Sequence, residues 1–348
     1  MSVFPFSAQL IAWQKRHGRH DLPWQNTQDA YCIWLSEIML QQTQVTTVVP
    51  YYQRFIERFP TVTSLANAPL ESVLELWAGL GYYARARNLH RCAKAILSDF
   101  HGQFPKTPEV IDSLPGIGRS TAAAISAFAF GTRAAILDGN VKRVLARCFG
   151  IEGFPGSAPV EREMWSLAES LLPEKEIEAY TQGLMDLGST VCTRRKPFCH
   201  ACPMHDPCIA RRAGRQHELP VSRPKKVLPE RETCFLILTD GKQVLLERRP
   251  PAGIWGGLLT LPEGGVAEAR AFARRYGCRL LEMQAMKPLK HTFSHFHLHI
   301  QTLFCSVEVK ARLVAEAGWQ WLDCGEIETA ALPAPIRRLL RTMPEQGA

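Results

Sequence analysis

The sequence predicts two domains of different class, an all-α domain followed by an α+β domain. Three observations carry this. Apolar residues recur at helical spacing through residues 28–210. The segment 211–231 loses that periodicity and gathers proline and arginine. Beyond residue 232 the apolar residues come in short β-favouring runs separated by turn residues. A chain of 348 residues with 46% hydrophobic content is long enough for two cores, since domains run to roughly 100–200 residues.

Taken in order, Tyr31, Trp34, Leu35, Ile38 and Met39 mark one helix, and Val73, Leu74, Trp77 and Leu80 another. Gly79 to Tyr83 breaks the second pattern, and a helix resumes over Ala84–Phe100 with Arg85, Arg87, Arg91 and Lys94 on its polar positions. Two more helices fit Val160–Leu172 and Ala179–Val191. In 211–231, Pro220, Pro224 and Pro229 stand among Arg212, Arg215, Arg223, Lys225 and Lys226. That composition reads as an extended basic linker able to touch phosphates. Next, Thr233–Leu238, the turn signal Asp240-Gly241 and Val244–Glu247 form a hairpin. Val266–Tyr276 reads as helix and Thr292–Val309 as one long β-favouring stretch. The predicted boundaries are 1–210, 211–231 and 232–342, with no internal repeat.

Lysine and arginine outnumber aspartate and glutamate by 41 to 33, a formal net charge of +8 that suits a polyanionic partner. No apolar run approaches the roughly 18 residues of a membrane span. The N-terminus, with Pro5 and mixed polarity up to Lys15 and Arg16, lacks a signal-peptide pattern. The protein is therefore expected in the cytoplasm, at the nucleoid while acting, without a membrane partner. In that compartment eleven cysteines are not a disulfide framework, and their spacing matters more than their number.

Cys192, Cys199, Cys202 and Cys208 form the pattern C-x6-C-x2-C-x5-C. Four thiolates in one short loop can enclose one metal centre, and soft sulfur ligands select zinc, copper(I) or an iron–sulfur cluster. Arg194, Arg195 and Lys196 lie within the first spacing, where they can face a phosphate backbone. The other cysteines are scattered singly and read as packing residues.

Upstream, Leu114-Pro115-Gly116-Ile117-Gly118-Arg119-Ser120-Thr121-Ala122 is a tight turn leading into a small-residue helix. Gly116 and Gly118 let a backbone approach closely, and amides at a helix start bind phosphate oxygens without reading sequence. Further on comes Asp138, framed by Ile136, Leu137 and Gly139. Hairpin, aspartate and cysteine loop in this order resemble the endonuclease III and MutY superfamily of helix–hairpin–helix DNA glycosylases. The stretches Trp34–Thr43 and Gly79–Asn88 resemble the MutY family in particular, and that resemblance covers nearly the whole chain.

The resemblance implies a [4Fe–4S] cluster on Cys192, Cys199, Cys202 and Cys208, structural in role because glycosidic hydrolysis needs no electron transfer. It implies that Glu37 protonates the adenine ring and that Asp138 faces the sugar. Two carboxylates suit that chemistry: departing adenine leaves an oxocarbenium-like sugar, and a neutral purine leaves poorly unless protonated. Glu37 must then hold a proton near neutral pH, as burial under the flipped base would allow. Asn140 would help place the sugar or phosphate. Ser120 stands where bifunctional members carry a lysine that forms a Schiff base, so the implied enzyme is monofunctional and uses water. Tyr82 is the expected wedge for the hole left by a flipped base, with Gln42 and Leu80 beside it. Thr43, Gly116, Gly118 and Arg143 complete the expected DNA contacts.

The C-terminal part resembles a Nudix domain with a broken catalytic box. Gly257 and Glu263 fit its start, but Ala271, Arg274 and Arg275 replace its acidic ligands. Without clustered carboxylates no Mg²⁺ site forms, which excludes pyrophosphate hydrolysis and leaves a recognition role. His291–His299 resembles the MutY loop that senses 8-oxoguanine, with Phe293 as a wedge and Ser294 and His295 as hydrogen-bonding groups. His295, His297 and His299 alternate on one predicted strand face, with no Cys or acidic residue joining them as a metal site. The resemblance as a whole implies an adenine-specific DNA glycosylase of base excision repair. Its partner would be double-stranded DNA with adenine opposite 8-oxoguanine or guanine, and it would act as a monomer.

Overall fold

The structure, a computed structural model, describes residues 4–223, 227–250, 253–310 and 318–344. Its backbone divides into two compact units, residues 1–67 with 88–225 and residues 68–87 with 226–348. The second unit is thus discontinuous in sequence, and residues 68–87 pack with the C-terminal part.

The helices run α1 (Phe6–His17), α2 (Ala30–Leu40), α3 (Val45–Arg58), α4 (Val62–Asn67), α5 (Leu70–Leu76), α6 (Ala84–Phe100) and α7 (Pro108–Asp112). They continue as α8 (Arg119–Phe130), α9 (Gly139–Phe149), α10 (Ala158–Ser170), α11 (Ile177–Asp186) and α12 (Ile209–Arg212). A π-helical turn, Leu187–Val191, extends α11. In α8, Ala122, Ala123, Ala124 and Ala127 are buried, and these small side chains let α2 pack closely against it. Ala123, Ala124 and Ala127 also belong to a cluster with Leu10, Val144, Leu145, Met164, Tyr180 and Leu184. The stretch expected as a linker begins inside the helical unit. Leu219 is buried, and its carbonyl accepts the Arg147 Nε–H at 2.8 Å. Of that stretch, Pro224, Lys225 and Lys226 lie outside the described residues.

The C-terminal part carries a mixed sheet whose strands, among the described residues, are β1 (Glu230–Thr239), β2 (Gln243–Arg248), β3 (Leu259–Thr260), β4 (Cys278–Ala285), β5 (Leu289–Thr292), β6 (His297–Val309) and β7 (Trp319–Asp323). The order is β3-β2-β1-β6-β4, with β5 on β6 and β7 on β2. Among these strands only the β1–β6 pair is parallel, in register Glu230 to His297. The expected hairpin is β1–β2; the Asp240 carboxylate closes its turn by accepting from Lys242 and Gln243 N–H. Alternation along β1 sends Phe235 and Ile237 to one face, with Ile336 and Leu339 of α14 (Ala334–Arg341). Leu236 and Leu238 go to the other face, with Ala269 and Ala273 of α13 (Val266–Arg275). A strand covered on both sides needs an unbroken apolar run, which is why Phe235–Leu238 shows no polar alternation.

The stretch Thr292–Val309 is not one strand. Its chain folds back between β5 and β6, pairing Thr292 with His297, and the Phe293 N–H donates to the Phe296 carbonyl. Phe293, Ser294 and His295 are thereby lifted off the sheet into a hairpin tip. His295 consequently leaves the face expected for it, while His297 meets Thr292 Oγ1 and His299 meets Glu230.

Candidate active site

Glu37 is placed by α2, whose start is capped by the Asp29 carboxylate accepting from Tyr31 N–H at 2.8 Å. Trp34, Leu35, Ile38 and Met39 are buried on either side of Glu37, so the helix cannot rotate without exposing its apolar face. After Leu40 the chain turns sharply: Gln42 has φ +57°, an uncommon left-handed conformation for a non-glycine residue. Gln42 is exposed and Thr43 half-buried along the same turn, both reaching the groove described below.

The hairpin turn needs its first glycine. Gly116 has φ +79°, and a Cβ there would come within 2.5 Å of the Asn88 Cβ. A Cβ at Gly118 would meet nothing within 4 Å, and the residue is exposed at the start of α8. Ser120 follows in the first turn of α8, where its Oγ accepts from Leu137 N–H at 2.9 Å. Ser120 therefore anchors the extended approach to Asp138.

Asp138 caps α9. Its Oδ1 accepts from Val141 N–H at 2.8 Å, and its Oδ2 accepts from Asn140 Nδ2 at 3.3 Å. Asn140 is in turn held by Arg143 Nη2 at 2.8 Å. Gly188, on the π-helical turn, permits this arrangement, because a Cβ there would lie 2.5 Å from the Asn140 Cβ. Expected as a DNA contact, Arg143 turns out to tie the site to the cysteine loop. It donates to the carbonyls of Gly188 at 2.6 Å and Cys192 at 2.7 Å, and it also lines the groove described below. One helical turn later Arg147 does the same, donating to the carbonyls of Thr193 and Arg194 and to Cys192 Sγ.

Glu37, Gln42, Thr43, Ser120, Asp138 and Asn140 line one groove of about 1710 Å³. Glu37 also borders an adjoining pocket of about 560 Å³, with Trp24, Ile33, Val45 and Gln182. Burial, reinforced by the neighbouring Asp138 charge, raises the Glu37 carboxyl from 4.5 to about 8. Burial also raises Asp138, against the lowering pull of the Val141 and Asn140 amides and of Arg143. Two carboxyl groups facing one groove thus resist ionising together, and Glu37 is the one set to hold the proton.

Residues the sequence did not single out complete the wall. Asp186 is fully buried and accepts from Arg19 Nε at 2.7 Å, Arg19 N–H at 2.9 Å and Gln182 Nε2 at 2.9 Å. Arg19 reaches both the groove and the pocket beside Glu37. A lone acid in the apolar stretch Leu184–Leu187 was the available signal for this pair.

All four spaced cysteines, Cys192, Cys199, Cys202 and Cys208, line a single cavity with Arg147 and Arg211, and all are free of disulfides. Among the described residues no three His, Cys, Asp or Glu side chains gather closely enough for a single ion. Four soft sulfur donors around one cavity fit a thiolate-held centre, and the Arg147 hydrogen bond to Cys192 Sγ is the kind that tunes such centres.

In the other unit Tyr82 is 57% exposed and has φ +49°. The buried Arg85 guanidinium lies 5.3 Å from the Trp77 ring and 5.5 Å from the Tyr82 ring, and it donates to the Leu80 and Gly81 carbonyls. Leu80, expected beside the wedge, is buried at 5%. It serves the base of this loop, and Tyr82 is its exposed tip. At the β5–β6 tip Ser294 and His295 reach solvent, and Phe293 stacks on Phe296 at 4.6 Å. Ala271, Arg274 and Arg275, read as replacing the acids of a Nudix box, all lie on α13.

Comparison with known proteins agrees with this organisation. Residues 35–170 match the HhH-GPD superfamily of base excision DNA repair proteins, and residues 233–342 match the NUDIX domain. The chain is 35% identical over 342 residues to an adenine DNA glycosylase of Buchnera aphidicola, covering 98% of both chains. It is 33% identical to the adenine DNA glycosylase of Homo sapiens, covering 97% of this chain and 74% of that one. Among solved structures, a thermostable thymine-DNA glycosylase superposes with a TM-score of 0.55 at 30% identity, covering 60% of this chain and 95% of that one. Endonuclease III from a non-covalent DNA complex shares the fold, with a TM-score of 0.51 at 22% identity, over 60% of this chain and 96% of that one.

Proposed function

The chain belongs to the adenine DNA glycosylase family of helix–hairpin–helix base excision repair enzymes, and from that premise we propose that it excises adenine opposite 8-oxoguanine or guanine by acid-assisted hydrolysis. The observation that carries the mechanism is the pair Glu37 and Asp138 on one groove, with the Glu37 carboxyl raised to about 8.

In this reading the flipped adenine enters the pocket beside Glu37, between Trp24, Ile33 and Val45. Glu37 donates its proton to a ring nitrogen of the base as the glycosidic bond breaks. The bonding electrons leave with the base, and the sugar becomes an oxocarbenium-like cation. Asp138, whose oxygens are fixed by the Val141 amide and the Asn140 side chain, stabilises that cation until water adds to the sugar carbon and loses its proton to a carboxylate. Asn140 fixes the Asp138 oxygen. The hairpin amides near Gly116 and Gly118 hold the backbone phosphates, and Tyr82 fills the vacated stack. Cys192, Cys199, Cys202 and Cys208 would hold a [4Fe–4S] cluster, which when bound supplies a covalent cross-link for the basic loop Arg194–Lys196.

Ser120 offers no amine for a Schiff base, so the product is an intact abasic site. Incubation with duplexes carrying A opposite 8-oxoguanine, A opposite G, and oxidised pyrimidines checks this. Free adenine should appear from the first two, with strand breaks only after alkali. Efficient strand cleavage without alkali, trapped by borohydride, would contradict the monofunctional reading.

The C-terminal unit is assigned the reading of the opposite base, through Phe293, Ser294 and His295. Changing Ser294 and His295 together to alanine removes two side-chain hydrogen bonds of about 0.5–1.5 kcal/mol net each. The preference for A opposite 8-oxoguanine over A opposite G should then fall roughly tenfold, measured by single-turnover excision on both duplexes. An unchanged preference would take base reading away from this loop.

A further inference from the structure

Within the second unit, the segment bearing Tyr82 is tied to the β5–β6 tip by a continuous set of contacts that the mechanism above does not use. Arg87 Nη1 donates to the Gly256 carbonyl at 2.6 Å. Gly256 is buried in a turn between β2 and β3 whose conformation is unusual. Trp255 has φ +56° and Gly257 φ +78°, and a left-handed conformation is a genuine outlier for a residue as bulky as tryptophan. Such a conformation persists only where its surroundings over-determine it. Here Arg248 Nη1 holds the Gly257 carbonyl at 3.1 Å, the Leu258 N–H reaches the Trp255 carbonyl at 3.0 Å, and Arg87 holds the Gly256 carbonyl between them. The turn aims the indole at the tip: Trp255 lies 5.6 Å from the Phe293 ring and 6.1 Å from the His291 ring. On the other side, Tyr83 Oη donates to the Leu332 carbonyl at 3.3 Å, a second fastening between the Tyr82 segment and the same unit.

We propose that Arg87 is a positioning residue that locks the Trp255 turn, and through it Phe293, to the segment bearing Tyr82, so that base reading and wedging are done by one rigid piece. The inference rests on the assignment of Phe293–His295 to the opposite base and of Tyr82 to the vacated stack. It goes beyond that assignment in naming the joint that couples them. With the joint in place, a correct contact at the tip favours the wedged arrangement. Without it, tip and wedge sample their positions independently, and the damaged base loses its influence on excision.

The test uses the full chain and the ratio of single-turnover excision rates for A opposite 8-oxoguanine over A opposite G. Arg87→Ala should lower the ratio about threefold to tenfold, the scale of one net hydrogen bond, while the rate opposite G stays within about twofold. Arg87→Lys, which keeps a donor, should restore most of the ratio. Combining Arg87→Ala with the Ser294 and His295 double substitution should lower it no further than that double substitution alone, because both changes break the same link. If Arg87→Ala melts below the assay temperature, Trp255→Leu interrupts the link from its other end and should behave likewise. Losses that multiply, or a ratio untouched by Arg87→Ala where the double substitution lowers it, would overturn the joint and leave the reading loop standing. A ratio untouched by the double substitution would remove the reading loop, and the joint with it.

Discussion

Glu37→Gln is expected to bind the mispair as the parent does and to excise adenine about 10²–10⁴ times more slowly, the usual range for losing a general acid. Glutamine keeps the size of the side chain and can still hydrogen-bond in the groove, but it has no proton to deliver to the leaving base. The pH profile gives an independent check. With its carboxyl raised from 4.5 to about 8, Glu37 stays protonated through neutrality, so excision should persist there and fall as the pH rises through about 8. Stability follows the same titration. Between 4.5 and 8 the folded chain holds a proton that the unfolded chain releases, so this group's contribution declines as the pH rises across that window and is flat above it. Glu37→Gln removes that decline, and the variant should gain in Tm relative to the parent at about pH 8. Excision by Glu37→Gln at the parental rate would show that another group is the acid.

Cys199→Ser should produce the second large effect. The parent is expected to be brown with about four irons per chain, and the variant should lose both the colour and most of the iron. DNA affinity should drop with it, because the cavity borders the loop that presents Arg194, Arg195 and Lys196. For every phosphate that the variant no longer neutralises, the slope of log affinity against log salt should become shallower by about 0.9. The injury should also reach the groove: Arg143 and Arg147 both donate to the Cys192 carbonyl, and Arg143 holds Asn140. A colourless parent loaded with zinc would overturn the cluster assignment.

Local signals made much of this molecule legible. The helix Ala84–Phe100 was readable from apolar spacing to the residue, because one buried face at a 3.6-residue period leaves few alternatives. Asp240-Gly241 announced its hairpin by turn chemistry alone. The groove was legible in part: apolar spacing around Glu37 places it on a helix, but its pairing with Asp138 came from the family resemblance and not from spacing. What stayed hidden depends on partners distant in sequence. Arg143 reads as one more basic residue until the Gly188 and Cys192 carbonyls close around it, and Asp186 is unremarkable until Arg19 and Gln182 reach it. Burial of Leu80 has the same origin, as does the attachment of Leu219 to Arg147. The stretch Thr292–Val309 misled for a different reason: its β propensity is nearly uniform, and the reversal at Phe293–Phe296 contains neither glycine nor proline.

The split composition of the second unit bears on how the protein is made. Residues 68–87 leave the ribosome early, while the sheet they pack with starts at β1 and is complete only after β7. At about 5–20 residues per second, the intervening helical stretch alone delays that partner by roughly seven to thirty seconds. During this interval Leu74 and Trp77, buried in the finished protein, stand without the C-terminal part of their unit. The N-terminal segment is therefore exposed to chaperones, proteases and other nascent chains for longer than its place in the chain suggests. Lesions far downstream in the sheet should consequently lower the yield of soluble protein through a segment synthesised at the start.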